Sequence, residues 1–224
     1  MMPGIDWAAF WSPFLLSLRV ALLSSVVAMA LGTAIAWRIS RRQFRGRTLL
    51  ETAIMLPLVL PPTVVGFVLL MLLGRRSWIG QAAEWLFRAP IVFSWWAAVI
   101  AATVVAIPLV YQTMKTGFLS VDRNLEEAAR NAGAGERQVF AYITLPLAFR
   151  SFLAAYVLGF ARGFGEFGAT LMIAGNIPGR TQTTPTAIYL AVDSGHTAMA
   201  WAWTAAMVVV SFLLQLLVGR RQSA

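Results

Sequence analysis

From Pro13 to Trp37 the chain runs 25 residues with one charge, Arg19, and five arginines then crowd into the next ten positions: Arg38, Arg41, Arg42, Arg45 and Arg47. A helix that apolar is long enough to cross a hydrocarbon core about 30 Å thick. Basic residues packed at its end mark the cytoplasmic side. The pattern recurs, with apolar runs at about 49–73, 92–114, 149–173 and 198–218 separated by short polar segments. Composition agrees: 59% of residues are hydrophobic and 12% charged, where a soluble domain carries about 25% charge. The expectation is an all-α integral membrane protein, a single transmembrane domain over residues 1–224 with five spans. Trp7 and Trp11 form an aromatic lead-in at the interface. Ala34-Ile35-Ala36 resembles a cleavage site, but the apolar run is too long and the basic residues follow it, so the first helix is expected to be retained.

Charge sets the expected orientation. Net charge is +9, yet the cations lie in clusters between apolar runs and form no face for nucleic acid. Twelve of the eighteen basic residues fall on one side of the five spans, four on the other, and Arg19 and Arg162 fall within spans. That balance predicts the N-terminus outside and the C-terminus inside. With no Cys and His196 the only histidine, disulfides, thiolate chemistry and a His- or Cys-rich metal site are excluded.

Two of the spans carry unusual chemistry. The second contains Pro57, Pro61 and Pro62, with Thr63 beside them; proline in a membrane helix frees carbonyls that neighbours, water or a solute must satisfy. Thr63 reads as cavity lining or as packing. The fourth holds GFARGFGEFG from Gly159 to Gly168, where Arg162 and Glu166 are spaced to pair on one helix face. An ion pair at that depth is a functional site or a self-neutralised device for packing. Beyond it, the segment Asn176–Thr186 is rich in hydroxyls, with Asn176 and Thr181 as donors to a passing oxyanion or as parts of an ordinary turn. No phosphate-binding loop or nucleophile elbow occurs, and Lys115 is the only lysine. The chain itself is expected to bind no cofactor and no metal.

One long polar segment remains, DRNLEEAARNAGAGERQVFAYITLP from Asp122 to Pro146. Glu126, Glu127, Arg130, Glu136 and Arg137 among small residues predict a solvated helix laced with ion pairs. Asn124 is placed to cap it with Glu127 three residues on, Gly133 to end it, and a second helix is expected from Gly135 to Thr144, stopped by Pro146. The order Glu127-Ala128-Ala129, three residues, Gly133, nine residues, Ile143-x-Leu145-Pro146 resembles the coupling loop of ABC importer permeases. The resemblance implies that Glu126, Glu127, Ala128, Ala129, Gly133, Ile143, Leu145 and Pro146 dock into a cleft on a separate ATPase. Ala128 and Ala129 would allow close approach, and Glu127 would anchor by charge.

LPLVLPPTVVGFVLLMLLGRR (Leu56–Arg76), FSWWAAVIAA (Phe93–Ala102) and FARGFGEFGATLMIAGNIPG (Phe160–Gly179) extend the likeness to permeases of bacterial molybdate ABC importers. Sulfate and thiosulfate permeases resemble the last block too. The family likeness implies a multi-pass protein of the bacterial inner membrane, surrounded by lipid and paired with a second copy of itself. Two cytoplasmic ATPase subunits would use ATP and Mg, and a soluble periplasmic binding protein would deliver molybdate or tungstate. Some relatives carry a C-terminal regulatory domain; with Ala224 closely following the fifth span, inhibition in cis is not expected. An ion channel, an ATP-independent carrier and a membrane enzyme are the rivals from other classes.

Overall fold

The computed structural model describes residues 6–222, with side chains through Leu216. The first helix, α1 (Trp7–Arg41), is 35 residues long, about 52 Å at 1.5 Å per residue. It starts and ends outside the expected 13–37. Asp6 accepts hydrogen bonds from the amides of Ala8 and Ala9 at 2.9 and 3.2 Å, so the cap lies ahead of the aromatic lead-in. Arg38 and Arg41 lie in the last turn, where cations complement the helix dipole.

The span expected over 49–73 is two helices, α2 (Arg47–Val59) and α3 (Pro62–Leu73), meeting at 113°. Consecutive prolines explain the break: a residue before proline is driven out of the helical region, and Leu60 and Pro61 both turn extended, with ψ 145 and 137°. Pro57, by contrast, sits inside α2 without breaking it. The connection after α3 contains a helix that was not expected, α4 (Trp78–Phe87), with Trp78, Trp85, Leu86 and Phe87 exposed.

At the centre stands α5 (Trp95–Leu119), which runs five residues beyond the expected end at Met114. Ala97, Ala98, Ala101, Ala102, Val105 and Ala106 are wholly buried along it. Small side chains let other helices approach. Against its second half pack α1 and α9 (Phe149–Phe164); a Cβ on Gly32 of α1 would stand 2.7 Å from Val110 Cγ1. Against its first half pack α3 and α10 (Gly168–Ala174).

The span expected over 149–173 is interrupted as well. α9 ends at Phe164, three residues intervene, and α10 starts at Gly168. Two further helices follow, α11 (Thr184–Asp193) in the expected outer loop and α12 (Thr197–Gln222). Among the described residues three helices are long and apolar enough to cross a membrane, and up to five spans result if each bent pair counts as one. The second bent pair joins Glu136–Leu147 to Phe149–Phe164 at 76°.

Candidate functional site: the polar elbow and the paired helix breaks

The polar segment folds into α6 (Arg123–Asn131), α7 (Glu136–Val139), a π-helical turn (Phe140–Thr144) and α8 (Leu145–Leu147). The cap of α6 is Asp122, whose Oδ1 accepts from Asn124 N at 2.9 Å, so the expected Asn124–Glu127 cap is displaced by two residues. The two share the capping chemistry, and the acidic residue lies nearer the turn that leaves α5. Gly133 ends α6 at φ +92°, with Ala134 N donating to Ala129 O at 3.0 Å. That left-handed residue closes the helix at little cost only as glycine.

Pro146 does not stop the second helix where expected. It lacks the N–H that would reach Tyr142, and the backbone widens into the π turn just before it. The change of direction comes at Ala148, between α8 and α9.

Burial sorts the charges differently from the expected solvated face. Glu126 is 1% exposed. Its carboxylate accepts two hydrogen bonds from the Arg41 guanidinium and one from Thr144 Oγ1 at 2.6 Å, with Arg130 at 3.7 Å. Glu126 therefore ties the elbow to the end of α1 and to the π turn, and it is not available to an outside partner. Local periodicity carried no sign of this, because Arg41 lies 85 residues away and Thr144 across the Gly133 turn. A second tie is exposed: Arg130 Nε donates to Glu136 Oε1 at 2.6 Å, joining α6 to α7. The hydrogen bond from Arg130 holds the Glu136 carboxyl below its usual range, and Glu136 raises Arg130 in turn.

What remains outward is low in relief. Glu127, Ala128, Gly133 and Pro146 are exposed, while Ala129, Ile143 and Leu145 are half-buried. Between them lies a shallow hollow of about 330 Å³ lined by Ala129, Gly133, Tyr142 and Ile143 among others. Tyr142, 75% exposed at its rim, was not among the expected residues. Its exposure follows from the π turn, which sequence spacing does not announce.

The expected pathway residues divide into two groups. Arg162 Nη1 donates to Glu166 Oε2 at 2.6 Å, and Glu166 Oε1 accepts from Ala169 N at 2.8 Å. The pair forms, but not along one helix face: Glu166 lies beyond the end of α9 and accepts from an amide in the first turn of α10. A Cβ built on Gly168 would meet Pro62 Cβ at 3.0 Å and Thr63 N at 3.3 Å. The break between α2 and α3 thus abuts the break between α9 and α10, bringing Thr63, which is exposed, near the Arg162–Glu166 pair. Backbone interrupted at membrane depth is tolerated where it is buried in protein or lines a wet cavity.

The hydroxyl-rich segment is largely turned inward. Thr181 is wholly buried and accepts from Ile177 N at 3.0 Å. Thr184 N donates to Ser17 Oγ at 2.6 Å and Thr184 Oγ1 to Pro13 O at 3.2 Å, while Thr186 bonds to Thr183. Thr184 fastens α11 to α1, while the hydroxyls of Thr181, Thr183 and Thr186 are taken up within their own segment, and all four residues are buried. Asn176 is half-buried, with its Oδ1 unpartnered.

The family described as binding-protein-dependent transport system inner membrane component matches residues 9–221. The chain is 52% identical to YvgM of Bacillus subtilis over 98% of its length and 97% of that protein. It is 44% identical to the molybdenum transport system permease protein ModB of Escherichia coli K12, over 82% of this chain and 80% of that one. With the protein of the same name from Haemophilus influenzae it shares 42% identity, over 91% and 89%. Among solved structures, a bacterial ABC transporter that imports alginate has a chain of like fold, with TM-score 0.71 at 15% identity over 98% of this chain and 85% of that one. The MetNI methionine ABC transporter has another, with TM-score 0.68 at 15% identity over 96% and 97%.

Proposed function

The chain belongs to the family of inner membrane components of binding-protein-dependent transport systems, and on that premise we propose that it is the permease of an ATP-driven importer that carries molybdate. It is a multi-pass membrane subunit. Relatives at 42 and 44% identity bear the name of molybdenum transport permease, which favours molybdate over the sulfate alternative. Tungstate, a dianion of the same shape, is the natural companion substrate.

In this reading the chain hydrolyses nothing, and nucleotide is bound by two ATPase subunits that receive the elbow. The observation that carries it is the division of labour in that elbow: Glu126 is spent inward on Arg41 and Thr144, leaving Glu127, Ala128, Gly133 and Tyr142 on an open, low surface. A docking surface that must transmit force has to be fixed to the spans it moves, and the Arg41–Glu126 bond supplies that attachment to α1. Motion of the elbow would pass directly into α9 through the 76° junction and from there to the adjoining breaks. Two copies, related by a two-fold axis, would close the pathway, since one chain of five spans encloses too little space. The soluble binding protein would deliver the anion from the side opposite the elbow.

The test is reconstitution with the ATPase and binding protein in proteoliposomes. ATP-dependent uptake of molybdate is expected, and Glu127→Arg is expected to abolish capture of the ATPase while membrane insertion stays normal. Accumulation of molybdate without any ATPase, or normal ATPase capture by Glu127→Arg, contradicts the proposal.

A further inference from the structure

Gln112, Thr113 and Thr116 lie on one face of α5 together with Ala98, Ala102 and Val105, as 100° per residue requires. The upper three are buried in the cluster that α3 and α10 complete. The lower three line an open hollow of about 440 Å³ between α5 and α9, to which the first turn of α9 adds Arg150 and Ser151. One helix face is therefore roofed in its first half by the elements that carry the two breaks, and polar and open in its second half.

The charge of this hollow is unbalanced. Arg150 is exposed and forms no ion pair with any described residue. Carboxylates on the adjoining elements are already committed, Glu51 of α2 to Lys115 at 2.8 Å and Arg47 at 2.9 Å, and Glu166 to Arg162. The N-terminal end of α9, which has no side-chain cap, adds its partial positive charge on the same side.

We infer that this hollow is a release subsite for a tetrahedral oxyanion dianion on the elbow side of the paired breaks, with Arg150 as the attracting charge and Gln112, Thr113, Thr116 and Ser151 as neutral partners. The inference rests on the importer reading above. Its chemistry favours passage over retention. Thr113 Oγ1 donates to Leu109 O at 2.8 Å and Thr116 Oγ1 to Gln112 O at 3.0 Å, so each hydroxyl must rotate away from its own helix to serve an anion. The hollow is also wide enough for the ion to keep much of its water. A site with one cation and weak neutral donors draws an anion through the break without trapping it.

The experiment uses the permease assembled with its ATPase and binding protein in proteoliposomes. Uptake of molybdate, tungstate and sulfate is measured beside nucleotide hydrolysis for the wild type, Arg150→Lys, Arg150→Gln and Arg150→Glu. Arg150→Lys should stay near the wild-type rate, Arg150→Gln should fall about tenfold and Arg150→Glu further, as loss and reversal of a nearby charge require. Binding-protein-stimulated hydrolysis should persist in all three, which separates a pathway defect from a docking defect. Wild-type uptake in Arg150→Glu would overturn the subsite and leave the importer reading standing. Failure of the wild type to import any of the three anions would overturn both. Should Arg150→Glu fail to assemble, equilibrium binding of tungstate to the Arg150→Gln permease and ATPase, assembled without the binding protein, decides: weakened, salt-sensitive binding supports the subsite, and binding equal to the wild type refutes it.

Discussion

Glu126 and Glu127 are neighbours with opposite fates, one buried against Arg41 and the other open to solvent. Nothing in the pair's local sequence distinguishes them, since both sit in the same run of small and charged residues. Which one turns inward depends on where α1 ends. Replacing Glu126 with Ala leaves the Arg41 guanidinium and the Thr144 hydroxyl without their acceptor, at a cost of about 2 kcal/mol for hydrogen bonds to a charged group. Thermal unfolding of the purified chain should shift down accordingly, and Arg41→Ala with Glu126→Ala together should cost less than the sum of the two singly. Strict additivity would refute the tie.

The exposed pair behaves differently. Because Arg130 holds the Glu136 carboxyl below its usual range, the ionised form favours the folded elbow. That contribution is complete above the ordinary carboxylate pKa of about 4.3. It fades as pH falls through the lowered value. Protease nicking of the elbow should therefore be flat from neutral pH down to about pH 5 and rise below that range, and Glu136→Gln should remove the rise.

At the scale of elements, the two interrupted spans matter more than the unbroken ones. The prolines at 57, 61 and 62 announced trouble in the second span, but only the structure separates Pro57, which α2 absorbs, from Pro61–Pro62, which turn the chain through 113°. Adjacent prolines force two successive extended residues, and a lone proline after the first turns of a helix does not. The break after α9 has a fainter signal, glycines among charges, where the spacing of Arg162 and Glu166 points instead to one continuous helix face. Contact between the two breaks depends on Gly66, where a Cβ would stand 2.8 Å from Ala169 Cα and 2.7 Å from Met172 Cβ. Gly66→Leu should force α3 off α10, an overpacking cost of about 1 to 3 kcal/mol or more. We expect normal membrane abundance with transport lost, measured as uptake per unit of assembled complex. Unchanged uptake would show that α3 and α10 need not touch.

For the whole molecule, the elbow end of the bundle is expected to face the cytoplasm, and the absence of cysteine makes that directly testable. Tyr142→Cys at the elbow and Trp85→Cys on α4 are both at exposed positions. In intact cells an impermeant maleimide should label the α4 site alone, and in inverted vesicles the elbow site alone. The reverse pattern would turn the molecule over and remove the elbow from any cytoplasmic ATPase.

The apolar runs, the arginine clusters between them and the spaced elbow residues were legible in the linear chain. Each is written in local composition: hydropathy over a window, charge beside a span, and glycine where the backbone must turn left-handed. The sequence by itself thus determined an all-helical membrane bundle carrying one polar elbow. Tertiary structure alone decided that Glu126 locks inward, that Thr184 fastens α11 to α1, that two helix breaks meet, and that Arg150 opens onto an unbalanced hollow. These outcomes depend on partners tens of residues away, and a long-range ion pair or a close approach of backbones leaves no period in the sequence for composition to reveal.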